Sequence, residues 1–432
     1  MTARSERTRH AVAAVAVALA SCAARDEPAA APDTLPATIV FRHFPVFGGP
    51  EPLSRLLDEF RRENPGLIVE DRLLPASSDQ QHQFYATQLE ARSSDFDVFA
   101  LDVVWVPEFA RAGWLRDASD LVSEDDRRDF FDGPLLATTL GGKAYAVPWF
   151  MDGGLLYYRA DLLEKHGLAV PDTLDDLARA TRTVIEGERD PSLLGFLFQG
   201  RQYEGLVCSA LEIVHSVPGG AFVADGRSAM TRPETIEGLC LLRRLVAEGT
   251  SPALVSSLDE EGSRLLFGSG RAVFLRNWPY AWSLFEADGS SVKGKVGIAP
   301  VPRAAGGRHV ATLGGFALGV NRHSRNPEAA EKLVRFLASK ESQKSLALAA
   351  GYEPTRRSLY DDPDLAEKQP FVARLKTILE RAEPRPVTPY YPMIAQALQA
   401  ELSAVVTGLR SPEVAARRAA SQIDHVLSLE EP

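Results

Sequence analysis

Cysteine is scarce in this chain. Three occur in 432 residues, Cys22, Cys208 and Cys240. Cys208 and Cys240 can pair outside the cytoplasm, yet each lies in a helical apolar pattern where cysteine is also a small buried hydrophobe. No HExxH, no paired CxxC and no dense His/Cys/Asp cluster is present, which leaves a metal site without support and gives no reason to expect a cofactor. No G-x-S-x-G elbow exists for a serine nucleophile. Gly289–Lys295 (GSSVKGK) matches the start of a phosphate loop, but Val296 stands where Ser or Thr is required and a strand pattern follows, so it reads as a turn. Positive charge is in deficit too: 48 Lys and Arg face 58 Asp and Glu, a formal charge of −10. That balance argues against nucleic acid and against an anionic lipid surface as partners.

No apolar run is long enough to span a bilayer. The longest candidate, Ala11–Leu19, has nine residues and would have to cross ~30 Å of hydrocarbon. It sits instead between a basic n-region (Arg4, Arg7, Arg9, His10) and Leu19-Ala20-Ser21-Cys22, the arrangement of a secretory signal ending in a small-small-Cys string. Those four residues resemble a bacterial lipobox, in which the cysteine becomes the lipidated first residue of the mature chain; an ordinary signal peptide with a chance cysteine is the plainer alternative. Residues 1–21 then read as a lipoprotein signal peptide, and 22–37, rich in Ala and Pro, as a disordered tether. Loss of 1–21 removes three Arg and one Glu and moves the formal charge from −10 to −12. The expected location is outside the cytoplasm, facing the periplasm or the cell exterior.

Roughly 395 residues follow the tether, enough for two domains. Thr38–Phe44 reads as a strand, followed by a Gly-Gly-Pro turn and a helix with Leu53, Leu56, Leu57 and Phe60 on one face. Asn64-Pro65-Gly66 stops that helix; LIVEDRLL is a second strand, 79–92 a second helix and 97–104 (DVFALDVV) a third, buried strand. This βαβ alternation predicts an α/β fold with a mostly parallel sheet. Ligands of such sheets collect at the carboxyl ends of strands, which puts Glu51 and Asp102 on the rim of a cleft. The middle of the chain, 154–300, alternates helices and short strands as a second lobe. Ser411-Pro412-Glu413 marks the start of a last helix.

Five tryptophans, Trp105, Trp114, Trp149, Trp278 and Trp282, lie between 105 and 282, most beside a carboxylate, a Pro or a Gly. An indole next to a hydrogen-bonding acid suits a sugar ring, with its apolar faces and its belt of hydroxyls. Tryptophan is equally a core residue with a polar handle. Asp259-Glu260-Glu261 could serve a glycosidase, but adjacent acids at a helix start more simply meet its dipole, and glycosidases need two carboxylates set across a scissile bond.

The strings DVFALDVVWVPEFARAGWL, VPWFMDGGLLYYRADLLEKHG, FLFQGRQYEGLVCSALE, GRAVFLRNWPYAW, TLGGFALGVNRHS and PRPVTPYYP, taken in order, resemble the extracellular solute-binding proteins of ABC sugar importers, family 1, most closely the trehalose/maltose-binding branch. The resemblance runs from about Ile39 to about Ile423. It implies a two-lobed periplasmic-binding-protein (type II) fold with a multi-crossover hinge and a ligand cleft between the lobes. The implied lobes are 38–148 with 312–353, and 149–311 with 354–432. The implied hinge crossings lie near Trp149–Gly153, Arg303–Thr312 and Glu353–Arg357, all loop-like in sequence.

The resemblance also implies site residues. Asp102 corresponds to a sugar-binding aspartate, although it can also cap the loop at Pro107. Asp152 follows Trp149-Phe150 at the first crossing, with Phe150 expected near the ligand. Glu51 matches a first-lobe acid, or is simply an acid at a helix start. Trp278 resembles the stacking tryptophan, with Tyr280 in the same loop. Gly314 and Gly315 would admit close approach of backbone to ligand. Arg385, held between two prolines, resembles an arginine that donates to sugar oxygens. Phe316 departs from the family, which often carries Trp there. The implied function is capture of a disaccharide, trehalose or maltose-like, by a monomeric receptor with no catalytic residues. The implied partners are the transmembrane subunits of an ABC permease and a membrane reached through a lipid on Cys22. Alternatives are another oligosaccharide, glycerol phosphate, or a secreted enzyme acting on glycans.

Overall fold

The computed structural model describes residues 37–46, 50–75 and 77–429. The readings made on Cys22, the tether and Gly48-Gly49 lie outside these residues. Two sheets organise the chain. In the first, the order is Glu353–Pro354, Val147–Gly153, Ala311–Val320, Val98–Asp102, Ala37–His43, Leu67–Leu73, and Ala382–Glu383 pairs with the start of Ala311–Val320. The strands at 37–43, 67–73 and 98–102 run parallel, as the βαβ pattern predicted; Ala311–Val320 lies antiparallel to Val98–Asp102. The second sheet has the order Val296–Pro300, Leu155–Arg159, Ala272–Asn277, Leu194–Leu197.

Local sequence explains the elements. Helix Glu51–Glu63 buries Leu53, Leu56, Leu57 and Phe60, an i, i+3, i+4, i+7 face, and ends at Asn64. Helix Leu174–Glu188 opens on a capping box in which Thr173 and Asp176 satisfy each other's backbone N–H groups. Ser411 caps the last helix, Pro412–Leu427, by accepting from Val414 N–H. Asp259 caps Glu260–Gly268 through Gly262 N–H at 2.9 Å, so the acidic triplet is a helix start. Helix Glu204–Ser216 is buried on nearly every side, beneath Pro233–Ala247 and Tyr391–Thr407. Cys208 lies buried inside it and Cys240 is exposed; both are free thiols, so the pairing considered for them is not made.

The strand Val147–Gly153 begins in one hydrophobic core and ends in another. Val147, Trp149 and Phe150 pack with Phe41, Phe44 and Leu318. Met151 packs with Leu155, Phe131 and Leu313. Ala311–Val320 makes the same passage, with Ala311 and Leu313 in one core and Leu318 and Val320 in the other. The first crossing, loop-like in sequence, is therefore a paired strand. Its apolar run VPWFM has neighbours on both edges, and pairing satisfies its backbone inside the protein. Among the described residues no helix is long and apolar enough to cross a membrane.

Candidate functional site

Arg385 joins the two halves. It follows Ala382–Glu383 and stands between Pro384 and Pro386, buried. Nη1 donates to Glu204 Oε1 at 2.8 Å; Nη2 donates to Asp102 Oδ1 at 3.2 Å and to the Leu313 carbonyl at 3.3 Å. Asp102 ends a strand of the first sheet, and Glu204 begins a buried helix of the second core. Asp102 Oδ1 also accepts from Val104 N–H at 3.2 Å, so it both caps a turn and meets the arginine. The Tyr391 hydroxyl donates to Glu204 as well. Burial works against the charge of Arg385, but Cys208, Asp102 and Glu204 outweigh it and raise its pKa. Burial raises Glu204, against the pull of Arg385 and Tyr391. It also pushes the Cys208 thiol up to about 12, which leaves that cysteine an unreactive core residue.

Trp278 is fixed from several directions. Its backbone N–H donates to Asn277 Oδ1 at 2.8 Å and its carbonyl accepts from the Tyr157 hydroxyl at 2.9 Å. Its indole N–H points to Glu260 Oε1 at 3.5 Å, and Glu260 in turn accepts from Tyr203 at 2.6 Å. The Arg276 guanidinium lies 4.0 Å from the indole centroid, a cation–π contact. Arg276 is itself paired with Glu212 at 2.5 and 2.8 Å, with both side chains 1 % exposed. Glu212 reaches on to the crossing strand, accepting from Thr312 N–H at 3.0 Å. Burial opposes the charge on Arg276, but Glu212 more than restores it and its pKa is raised.

Gly314 and Gly315 have distinct roles. A Cβ on Gly314 would stand 3.2 Å from both the Asp152 Cβ and the Trp278 ring, so the bare backbone lets these two groups close on the strand. Gly315 has φ +111°, and a Cβ there would overlap the Phe150 carbonyl. Asp152 pairs with Gly314 across the crossing strands. Its carboxyl is pushed up to about 7, by burial first and by the charge of Asp102, with the bond to Glu353 and the charge of Arg276 pulling the other way.

The structure thus gathers Asp102, Asp152, Trp278, Gly315 and Arg385 around the crossing strands. It does not bring Glu51 or Phe150 to that cluster. Glu51 is 79 % exposed and pairs with Arg55 on its own helix. Phe150 is buried among Phe44, Phe316 and Tyr352. Tyr280 sits at the edge, donating to Glu261 at 2.7 Å. Of the other tryptophans, Trp149 is buried against Phe41 and Phe44, Trp105 and Trp114 pack on Phe109, and Trp282 stacks on Phe371 at 4.7 Å. Sequence reading missed Glu204, Glu212 and Arg276. Glu204 lies inside one of the telling strings, but its acid at a helix start reads as an ordinary dipole partner. Among the described residues no group of three or more His, Cys, Asp or Glu could hold a metal ion.

Residues 48–344 match the family described as bacterial extracellular solute-binding protein. A curated relative from Deinococcus radiodurans, a probable ABC transporter-binding protein, is 36 % identical over 360 residues, 82 % of this chain and 85 % of the relative. The galactooligosaccharide-binding protein of Bacillus subtilis is 25 % identical over 314 residues, 69 % of this chain and 70 % of that one. Among solved structures, maltose-bound MalE3 of T. maritima superposes with a TM-score of 0.84 at 38 % identity, over 90 % of this chain and 99 % of that one. A solute-binding protein from Thermotoga lettingae has a TM-score of 0.80 at 24 % identity and shares the fold. The fold is the two-lobed α/β architecture of periplasmic binding proteins. The strands that pass between two cores, the arginine bridging two halves and the match over 48–344 agree: this chain belongs to the bacterial extracellular solute-binding proteins, which capture solutes without transforming them.

Proposed function

We propose that the protein is the substrate-binding lipoprotein of an ABC importer, and that it captures a disaccharide, trehalose or maltose-like, between its lobes. The observation that carries this reading is the Asp102–Arg385–Glu204 bridge, set beside Trp278 and Asp152 where the crossing strands join the two halves. Carboxylates and a guanidinium gathered at one place suit a ring of hydroxyls, because charge-assisted hydrogen bonds are the stronger ones. Trp278, partly exposed beside Gly314 and contacted by the Arg276 guanidinium, would stack on the apolar face of a sugar. The maltose bound to the 38 %-identical T. maritima protein supports the ligand class. Lobes of 38–148 with 312–353 and of 149–311 with 354–432 would close on the ligand, which binds the closed form better and so shifts the hinge equilibrium. The closed form would dock on the permease, with a lipid on Cys22 keeping the monomeric receptor at the membrane. Another oligosaccharide is the second reading, favoured by the galactooligosaccharide-binding relative.

Calorimetric titration of trehalose, maltose and longer oligosaccharides into the chain from residue 36 onward tests the reading. A ligand present at a hundred times its Kd should stabilise the fold by about 2.7 kcal/mol. Trehalose and maltose that neither release heat nor raise the melting temperature remove the disaccharide assignment. Asp102→Ala that keeps full affinity for a confirmed sugar removes the site.

A further inference from the structure

Glu353 is 1 % exposed, and nothing in the bridge around Arg385 uses it. The two-residue strand Glu353–Pro354 pairs with Met151 and Phe150 of the crossing strand, which sets Glu353 one position from Asp152. The two carboxyls interact side chain to side chain, and Glu353 Oε1 is buried with no donor to satisfy it.

The charged and titratable groups around this pair come from every packed element, and none supplies a counter-charge to Glu353. Asp102, from the strand beyond Ala311–Val320, adds negative charge and is itself held by Arg385. Arg276 attracts Asp152 but is engaged by Glu212 and Gln199. The Tyr157 hydroxyl is directed to the Trp278 and Pro279 carbonyls, and the Tyr360 hydroxyl to the Pro354 carbonyl.

Two ionised carboxylates are acceptors only, so a hydrogen bond between them requires a proton. Two adjacent negative charges removed from water would repel and lose hydration without compensation. Asp152 feels the positive charge of Arg276 and is partly exposed, whereas Glu353 is sealed in. The proton therefore belongs on Glu353. We propose that Glu353 is a positioning residue for the ligand site: it stands in the hinge as the neutral acid and donates its proton to Asp152, holding that carboxylate so that its free lone pairs accept from ligand hydroxyls. The ligand half of this proposal rests on the sugar-binding reading above; the shared proton does not. Both carboxyls are raised, which agrees in direction. The sign for stability follows. A raised acid binds its proton in the folded state at pH values where the unfolded chain has released it. Its contribution is complete below the unfolded value and is lost as pH rises through the folded one.

The test uses the full chain, Glu353→Gln, which keeps a donor that cannot ionise, and Glu353→Leu, which keeps only bulk. Without any ligand, melting temperature is followed between about pH 5 and 9. The wild-type protein should lose stability relative to Glu353→Gln toward the alkaline end of this range, because burial holds the Glu353 carboxyl well above an ordinary glutamate. Maltose titrations at low and high pH form the second arm. Glu353→Gln should keep the wild-type affinity at low pH and show no loss at high pH. Glu353→Leu should bind at least about tenfold more weakly at low pH, the loss of one charge-assisted hydrogen bond. Parallel melting profiles for wild type and Glu353→Gln would overturn the shared proton. Full affinity in Glu353→Leu would overturn the positioning role. If neither maltose nor trehalose binds the wild type, the sugar reading and this positioning role both fall, and the melting profiles still decide the shared proton.

Discussion

Removing one partner of the Arg276–Glu212 pair should cost far more than removing both. Both side chains are 1 % exposed, and the pair is bidentate at 2.5 and 2.8 Å. Arg276→Met leaves the Glu212 carboxylate buried, with Thr312 N–H its one remaining donor among the described residues. An uncompensated buried charge of this kind costs about 3–5 kcal/mol. Arg276→Met/Glu212→Leu removes both charges and fills the space with apolar atoms, and such exchanges are near neutral or stabilising. At roughly 2.1 cal/mol/K of unfolding entropy per residue, a 4 kcal/mol loss lowers the melting temperature of a chain this long by about 5 °C if it melts as one unit. The assay is urea unfolding and scanning calorimetry on the wild type, both single variants and the double variant. The cycle should give a coupling of at least about 2 kcal/mol. A single Arg276→Met that costs under about 1 kcal/mol, or a double variant worse than either single, would refute the reasoning. The double variant should still lose ligand affinity, because Trp278 would no longer carry the guanidinium 4.0 Å from its ring centre.

Gly315→Ala meets both a φ of +111° and the Phe150 carbonyl, so it should destabilise by about 2–4 kcal/mol in urea melts, while an alanine at the open turn Gly66 should cost under about 1 kcal/mol. The Glu383 carboxyl is held at about 2: burial would raise it, and the bonds from His215 and Arg308 outweigh burial. Its contribution is present above the unfolded value and lost as pH falls toward about 2, so Glu383→Gln should flatten the acid limb of the stability profile. Because Arg308 is 59 % exposed, the loss at neutral pH should be only about 1–2 kcal/mol. Trp278→Ala should weaken binding of a confirmed sugar by at least about tenfold, and Trp278→Phe by much less, as read by calorimetry; equal affinity in all three proteins would deny stacking.

The sequence by itself determined the local elements, because helix and strand follow from nearest-neighbour periodicity. The face Leu53, Leu56, Leu57, Phe60, the apolar strand Val98–Asp102, and the caps at Asp259 and Ser411 are all readable along the chain. It also carried the strings that identify the family, and with them Asp102, Asp152, Trp278 and Arg385. What only the tertiary structure decided is which residues meet. The stretch 147–153 looks like a connecting loop, since its partners, 311–320 and 353–354, lie far along the chain; pairing makes it a strand that passes from one core to the other. Phe150 reads like a ligand wall, but the strand packs it among Phe44, Phe316 and Tyr352, whereas Glu51 stands exposed at the start of its helix beside Arg55. Glu204, Glu212 and Arg276 lie within the family strings, but nothing in the strings says that they pair. A charged side chain becomes decisive only when folding strips its water and leaves it a few partners, and Glu212 stands 64 residues away from Arg276 and Glu204 181 away from Arg385.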